Sequence, residues 1–174
     1  MAIWTFPPSK GGEDRGINDA GIETFKGNLE WYLARETIQN SVDARRYPKR
    51  PVKVAFERLE LKENELPGLQ NLTETFEACL KFWGDDPDAA KFFTNALKLA
   101  NKSKVSVLRI SDTNTKGVKG EDHEKGEGWY KLVQCSGASG KASGSGGSFG
   151  IGKSAPFAAS AMRTALIRKS VFST

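Results

Sequence analysis

The spacing of apolar positions changes several times along the chain, and each change marks an element. From Ile22 to Arg46, the residues Trp31, Ala34, Ile38 and Val42 recur at intervals of three and four with no proline among them. That is the period of a helix with one buried face. Pro48 and Pro51 end the pattern, since proline cannot continue the helical hydrogen-bond ladder. Between Val52 and Leu61 the period falls to near two, with Val52, Val54 and Phe56 alternating against Lys53, Ala55 and Glu57, which predicts a half-buried strand. Helical spacing returns over 62–102. There Phe76, Leu80 and Trp83 are separated from Phe92, Leu97 and Leu99 by Gly84-Asp85-Asp86-Pro87, so two helices joined by a turn are expected. Val105, Val107 and Ile110 predict a second strand over 104–110 with a polar end at Ser111-Asp112.

After Asp112 the pattern weakens. Residues 113–147 are rich in glycine, serine and lysine, interrupted only by Trp129 to Cys135, which suffice for one or two helical turns. A flexible loop is expected there. A glycine cluster then gives way to a small-residue helical pattern ending near Ser160, and Arg163 to Phe172 reads as a final strand. No internal repeat is present.

Composition narrows the picture. A chain of 174 residues, 38% hydrophobic and 27% charged, fits one ordinary domain able to bury about two-thirds of its unfolded surface. No apolar run approaches the roughly 18 to 20 residues of a bilayer helix, and the first ten residues lack the features of a signal peptide. The cytoplasm is therefore the expected compartment, with no membrane partner. Cys79 and Cys135 form no Cys-x-x-Cys pair and read as reduced thiols. His123, in Glu121-Asp122-His123-Glu124, reads as part of a solvated charged loop, because one flexible segment fixes no metal geometry. The net charge of +5 comes from basic residues spread along the sequence, and suits a nucleic acid or an anion as small as a nucleotide.

Three constellations carry candidate chemistry. In Glu36-Thr37-Ile38-Gln39-Asn40-Ser41-Val42-Asp43-Ala44, helical geometry puts Glu36, Asn40 and Asp43 in a stripe roughly 60° wide, opposite Trp31, Ala34, Ile38 and Val42. The stripe is either the solvated face of an amphipathic helix or a carboxylate and an amide placed to polarise water and hold magnesium. The second is Asp112-Thr113-Asn114-Thr115-Lys116-Gly117 at a strand end, which is either an ordinary turn or an acceptor for the exocyclic amine of adenine. The third, Gly146-Gly147-Ser148-Phe149-Gly150-Ile151-Gly152-Lys153-Ser154-Ala155, exposes backbone amides that can seat phosphate. It also contains Gly147-x-x-x-x-Gly152-Lys153-Ser154, the P-loop pattern. The residues before Gly147 do not read as the buried strand that a P-loop follows.

Taken in order, Glu36-x-x-x-Asn40-x-x-Asp43-Ala44, then a strand, then Asp112, then a glycine-rich stretch closing on Phe149-Gly150-Ile151-Gly152-x-x-Ala155, resemble the GHKL ATPase superfamily of gyrase, heat-shock chaperones, histidine kinases and MutL. Ser148 to Phe157 is most similar to the chaperone branch, and Arg35 to Ala44 to the MutL branch. The resemblance implies a two-layer α/β sandwich of Bergerat type, with helices on one face of a mixed β-sheet whose later strands lie beyond this sequence. Residues 1–174 would form a single ATP-binding domain, with 62–102 as a helical insert and 113–147 as a flexible lid over ATP.

The same resemblance implies roles. Glu36 would be the general base, Asn40 the Mg²⁺ ligand and Asp112 the adenine reader. Asp43, Ala44, Asn114 and Gly117 would line the nucleotide, while Phe149, Gly150, Ile151, Gly152, Lys153 and Ser154 would form the phosphate side. The implied function is Mg²⁺-dependent ATP hydrolysis driving a conformational clamp, in DNA repair or defence. Partners would include a second copy through this domain and DNA or protein through further domains. A nucleotide-sensing module without turnover and a P-loop NTPase fragment remain as alternatives. The chain departs from the family in one loop: the family writes Asp-x-Gly-x-Gly, whereas here Asn114 replaces the first glycine and Gly117 comes one position late.

Overall fold

Gly27 divides the first helical stretch. In the computed structural model, which describes Trp4 and residues 16–120, 124–125, 128–134 and 152–167, the helix expected from Ile22 to Arg46 is instead α1 (Ala20–Glu23) followed by α2 (Leu29–Asp43). Gly27 has a φ of 110°, which glycine adopts freely and other residues do not. The Asn28 side chain then accepts a hydrogen bond from the backbone N–H of Trp31 at 3.3 Å, capping α2. The remaining elements are β1 (Lys53–Leu61), α3 (Leu69–Trp83), α4 (Pro87–Ala100), β2 (Val105–Thr113), α5 (Gly128–Gln134) and α6 (Ala155–Ala159). The fold is α+β, its two strands paired antiparallel. β2 extends past the apolar alternation, so Asp112 lies inside the strand. The final strand expected from Arg163 is not formed over 163–167, and the rest of that expectation lies outside the described residues.

The chain divides into two compact units, Met1–Asp19 with Phe56–Arg109, and Ala20–Ala55 with Ile110–Thr174. The first is organised by the expected helical pair. Leu69, Leu72 and Phe76 of α3 and Ala89, Phe93, Ala96 and Ala100 of α4 are buried, with the rings of Phe76 and Phe93 6.2 Å apart. This periodic burial explains why the segment was readable from spacing alone. Asp86 starts α4 by accepting from the amides of Asp88 and Ala89, both at 2.9 Å, ahead of Pro87 in the first turn. Trp4 is tied to the same unit by its indole N–H, which donates to the Gly68 carbonyl at 3.0 Å. On the strands, Arg109 makes two hydrogen bonds of 2.9 Å to Glu57, and these hold the Glu57 carboxyl below its usual range. Half-burial on α3 pushes the Cys79 thiol up, leaving little reactive thiolate at neutral pH. No helix among the described residues is long and apolar enough to cross a membrane.

The second unit is built on α2, which packs against α6 and against the single tight turn Gly152–Ser154; α1 packs on the same two. Phe25, Leu33 and Ala155 are buried there, beside the polar residues Glu36, Ser41 and Thr115. The face of α2 expected to be buried is the wrong one. Trp31 and Ile38 are 53% and 45% exposed and Val42 is exposed too, whereas Glu36 is 5% exposed. Helical spacing fixed which residues share a side but not which side turns inward, and here the inward residues Leu33 and Glu36 belong to the helix that packs on Gly152–Ser154 and α6.

Replacing Asp86 with Ala should cost about 1 kcal/mol, within the range of lost N-caps. Urea denaturation of the variant checks this, with an unchanged midpoint as the contrary result.

Candidate functional site

Glu36 is the centre of the second unit. Burying a carboxylate is costly unless it is paired and hydrogen-bonded, and here the neighbouring Arg35 guanidinium donates to Oε1 at 2.6 Å, with the Arg35 side chain half exposed. The other carboxylate oxygen faces Gly152. A Cβ at position 152 would overlap Glu36 Oε2 and lie 3.2 Å from its Cδ. The glycine is thus required by close approach rather than by backbone conformation. Among the described residues, the one fully sealed side-chain oxygen without a partner is Glu23 Oε1. One oxygen of Glu36 is held by Arg35 and the other faces the backbone of Gly152.

The side of α2 that bears Glu36 is covered at its start and open further on. At about 100° per residue, Asn40 projects between the directions of Glu36 and Leu33, yet Leu33 and Glu36 are buried and Asn40 is exposed. Ser41, five residues beyond Glu36 and roughly 7.5 Å along the axis, is buried again. Its hydroxyl donates to Asp112 Oδ2 at 2.9 Å, and the Thr115 hydroxyl donates to Asp112 Oδ1 at 3.0 Å. Both oxygens of an exposed carboxylate are therefore fixed by hydroxyls, and each retains a lone pair for a further donor.

Asn114 explains the departure at the loop that follows. Its φ of 60° places it in the left-handed region, which asparagine tolerates better than other residues with a Cβ. Its side chain does what a glycine cannot. Oδ1 accepts from the Tyr47 N–H at 3.0 Å, and Nδ2 donates to the carbonyls of Tyr47 at 3.1 Å and Arg50 at 2.8 Å. Asn114 therefore anchors the 44–51 segment rather than lining an open site. Gly117, at φ 65°, is exposed.

The structure brings Glu36, Gly152 and Asp112 to α2, two by direct approach and one through Ser41. Other expected residues serve differently. Asp43 is exposed and accepts from the Gln39 amide at 2.8 Å. The Ala44 carbonyl accepts from the Lys116 N–H at 2.8 Å, so Ala44 belongs to a backbone pairing with the residues that follow β2. Lys153 donates through Nζ to the Leu132 carbonyl at 3.0 Å, which directs it toward α5. Ser154 begins α6 without a side-chain capping bond. Phe149, Gly150 and Ile151, Cys135 and His123 lie outside the described residues, as does much of the expected lid. Among the described residues no three His, Cys, Asp or Glu side chains form a cluster able to hold a metal. A groove of about 750 Å³ beside Lys62, Asn71 and Lys104 includes none of the expected site residues.

Three contributors were not singled out from sequence: Arg35, Ser41 and Thr115. The last two are hydroxyl residues within reach of a strand-end aspartate, and Asp-x-x-Thr is itself a turn signal. Arg35 precedes its partner in sequence, a spacing that helical geometry does not mark as a pair. Compared with protein-family models, with curated proteins and with solved structures, the chain matches none.

Because the added methyl of Gly152→Ala overlaps only Glu36, its cost should depend on the glutamate. Overpacking of this kind costs about 1 to 3 kcal/mol. In the Glu36→Ala background the same substitution should cost well under half as much, giving a double-mutant coupling of about 1 kcal/mol or more. Chemical denaturation of the four proteins measures it, and additive effects would show that the contact does not govern the site.

Proposed function

We propose that the second unit binds ATP and hydrolyses it with Mg²⁺, as a nucleotide-binding domain of GHKL type with a Bergerat-like two-layer sandwich. The observation that carries this reading is that one helix meets both ends of the expected site. α2 brings Glu36 against Gly152 of the glycine-rich segment and ties Ser41 to Asp112 of β2. A solvated face and an unrelated turn, the alternatives open in the sequence, give no reason for a buried glutamate to meet one motif while the same helix orients the other.

The chemistry follows from the residues. Glu36 accepts a proton from the attacking water through Oε2 while Arg35 holds Oε1. Asp112, acceptor-only when ionised, takes the exocyclic amine of adenine, and the carbonyl that guanine presents at that place offers it nothing to accept. Asn40 is an exposed hard-oxygen donor one turn from Glu36. It fits Mg²⁺, an ion that uses few protein ligands together with phosphate oxygens and water, and whose charge would offset that of the phosphates. Lys153, engaged at Leu132, argues against the P-loop reading, in which that lysine reaches the β and γ phosphates. A cytoplasmic setting, pairing of two such domains and a clamp-like use of ATP belong to the same proposal.

Calorimetry with ATP and GTP on the parent, Asp112→Asn and Lys153→Ala tests it. The parent should prefer ATP. Asp112→Asn should lose about 1.5 to 3 kcal/mol of adenine affinity, the worth of a hydrogen bond to a charged group, and Lys153→Ala should lose less. Glu36→Ala should keep ATP binding while hydrolysis falls on the order of 10² to 10⁴-fold. The reverse ranking of Asp112 and Lys153 would support the P-loop instead; ATP binding without turnover in the parent would support a sensing module.

A further inference from the structure

The spread of basic residues along the sequence is broken at one place. Between α2 and β1 the chain reads Arg45-Arg46-Tyr47-Pro48-Lys49-Arg50-Pro51-Val52-Lys53, with no acidic residue in the run. Arg45, Arg46, Lys49, Arg50 and Lys53 are all exposed, and among the described residues none of them forms an ion pair. The guanidinium carbons of Arg46 and Arg50 each lie 5.2 Å from the centroid of the Tyr47 ring, so two like charges share one aromatic side chain. Tyr47 is itself 47% exposed.

This loop is held as a shape. Asn114 bonds to Tyr47 and Arg50 through its side chain. The Arg46 N–H donates to the Asn114 carbonyl at 2.8 Å, Arg50 N–H closes a turn on the Tyr47 carbonyl at 3.0 Å, and Arg45 is bridged antiparallel to Thr115. Pro48 and Pro51 restrict the backbone further. Concentrating unpaired cations on a fixed backbone is unfavourable by Coulomb repulsion unless an anion relieves it. Planar guanidiniums ordered on an aromatic ring match the paired oxygens of phosphate esters, and their ordering lowers the entropy lost on binding.

From this arrangement we infer that the 45–53 loop docks the phosphodiester backbone of a nucleic acid, independently of base sequence. A succession of phosphates at fixed spacing engages several cations along a short loop at once, which a single free phosphate cannot. The inference uses none of Glu36, Asp112 or Gly152 and stands or falls apart from ATP binding.

Fluorescence anisotropy of the full chain with short labelled DNA and RNA, single-stranded and duplex, across a salt series provides the test. Binding should weaken steeply with salt. The double variant Arg46→Ala/Arg50→Ala should weaken it about tenfold or more and lower the salt slope by roughly 2, one for each lost phosphate contact. The four probes separate a DNA from an RNA preference and a paired from an unpaired backbone. Lys49→Glu/Lys53→Glu, which leaves Tyr47 and its guanidiniums in place, provides an independent loss of charge should the first variant fail to fold. Salt-insensitive or absent binding, unchanged affinity in both variants, or binding confined to anionic phosphatidylserine vesicles would each overturn the inference.

Discussion

The approach of the Glu36 carboxylate to the bare α-carbon of Gly152 governs the second unit. The carboxylate is buried on the inward side of α2 together with Leu33 and Ser41, while Trp31, Ile38 and Val42 face out, as do Asn40 and Asp43. The approach also requires the turn at Gly152–Ser154 and the start of α6 to lie against α2, where Ala155 is buried. An alanine at 152 would meet the end of the Glu36 side chain, which Arg35 restrains by a 2.6 Å hydrogen bond. The contact therefore couples the position of a potential base to the backbone of the glycine-rich segment.

The far end of α2 repeats this logic with neutral donors. Asp112 remains exposed, while two hydroxyls, from Ser41 and Thr115, fix the plane of its carboxylate. Hydrogen bonds to a charged acceptor are stronger than neutral ones, so this orientation is maintained without closing the residue off. Asn114 then secures the next stretch of backbone. Its left-handed conformation supplies the turn and its amide groups bind the 44–51 segment, which joins the strand-end aspartate and the basic loop to one framework.

Much of the fold was legible because it follows local periodicity. α3 and α4 bury residues at helical spacing, β1 forms where the alternation places it although Phe56 is exposed, and the turn at Asp86-Pro87 carries its own capping chemistry. The failures have specific causes. Gly27 interrupted a helix whose apolar spacing ran on without regard to it. α2 turns Glu36 toward Gly152, remote in sequence, so periodicity expected Trp31, Ile38 and Val42 inside, where they are exposed, and did not mark Glu36 as buried. Glu36, Asp112 and Gly152 were readable as chemical types at suggestive spacing; Asp43, Ala44 and Lys153 were readable too, but other groups engage them. Ser41 gave no signal, since a hydroxyl that orients a carboxylate looks like any other hydroxyl until the fold supplies the partner.

In the proposed site, α2 joins the two ends that one nucleotide would touch. Titration of the isotopically labelled chain with ATP and Mg²⁺, followed by amide NMR, tests this most directly. The account predicts that the amides of Gly152, Asn40 and Thr115 shift together and saturate at a common ATP concentration, because one ligand touches all three regions. Shifts confined to the region of Gly152, with 112–117 and α2 unaffected at saturation, would contradict it.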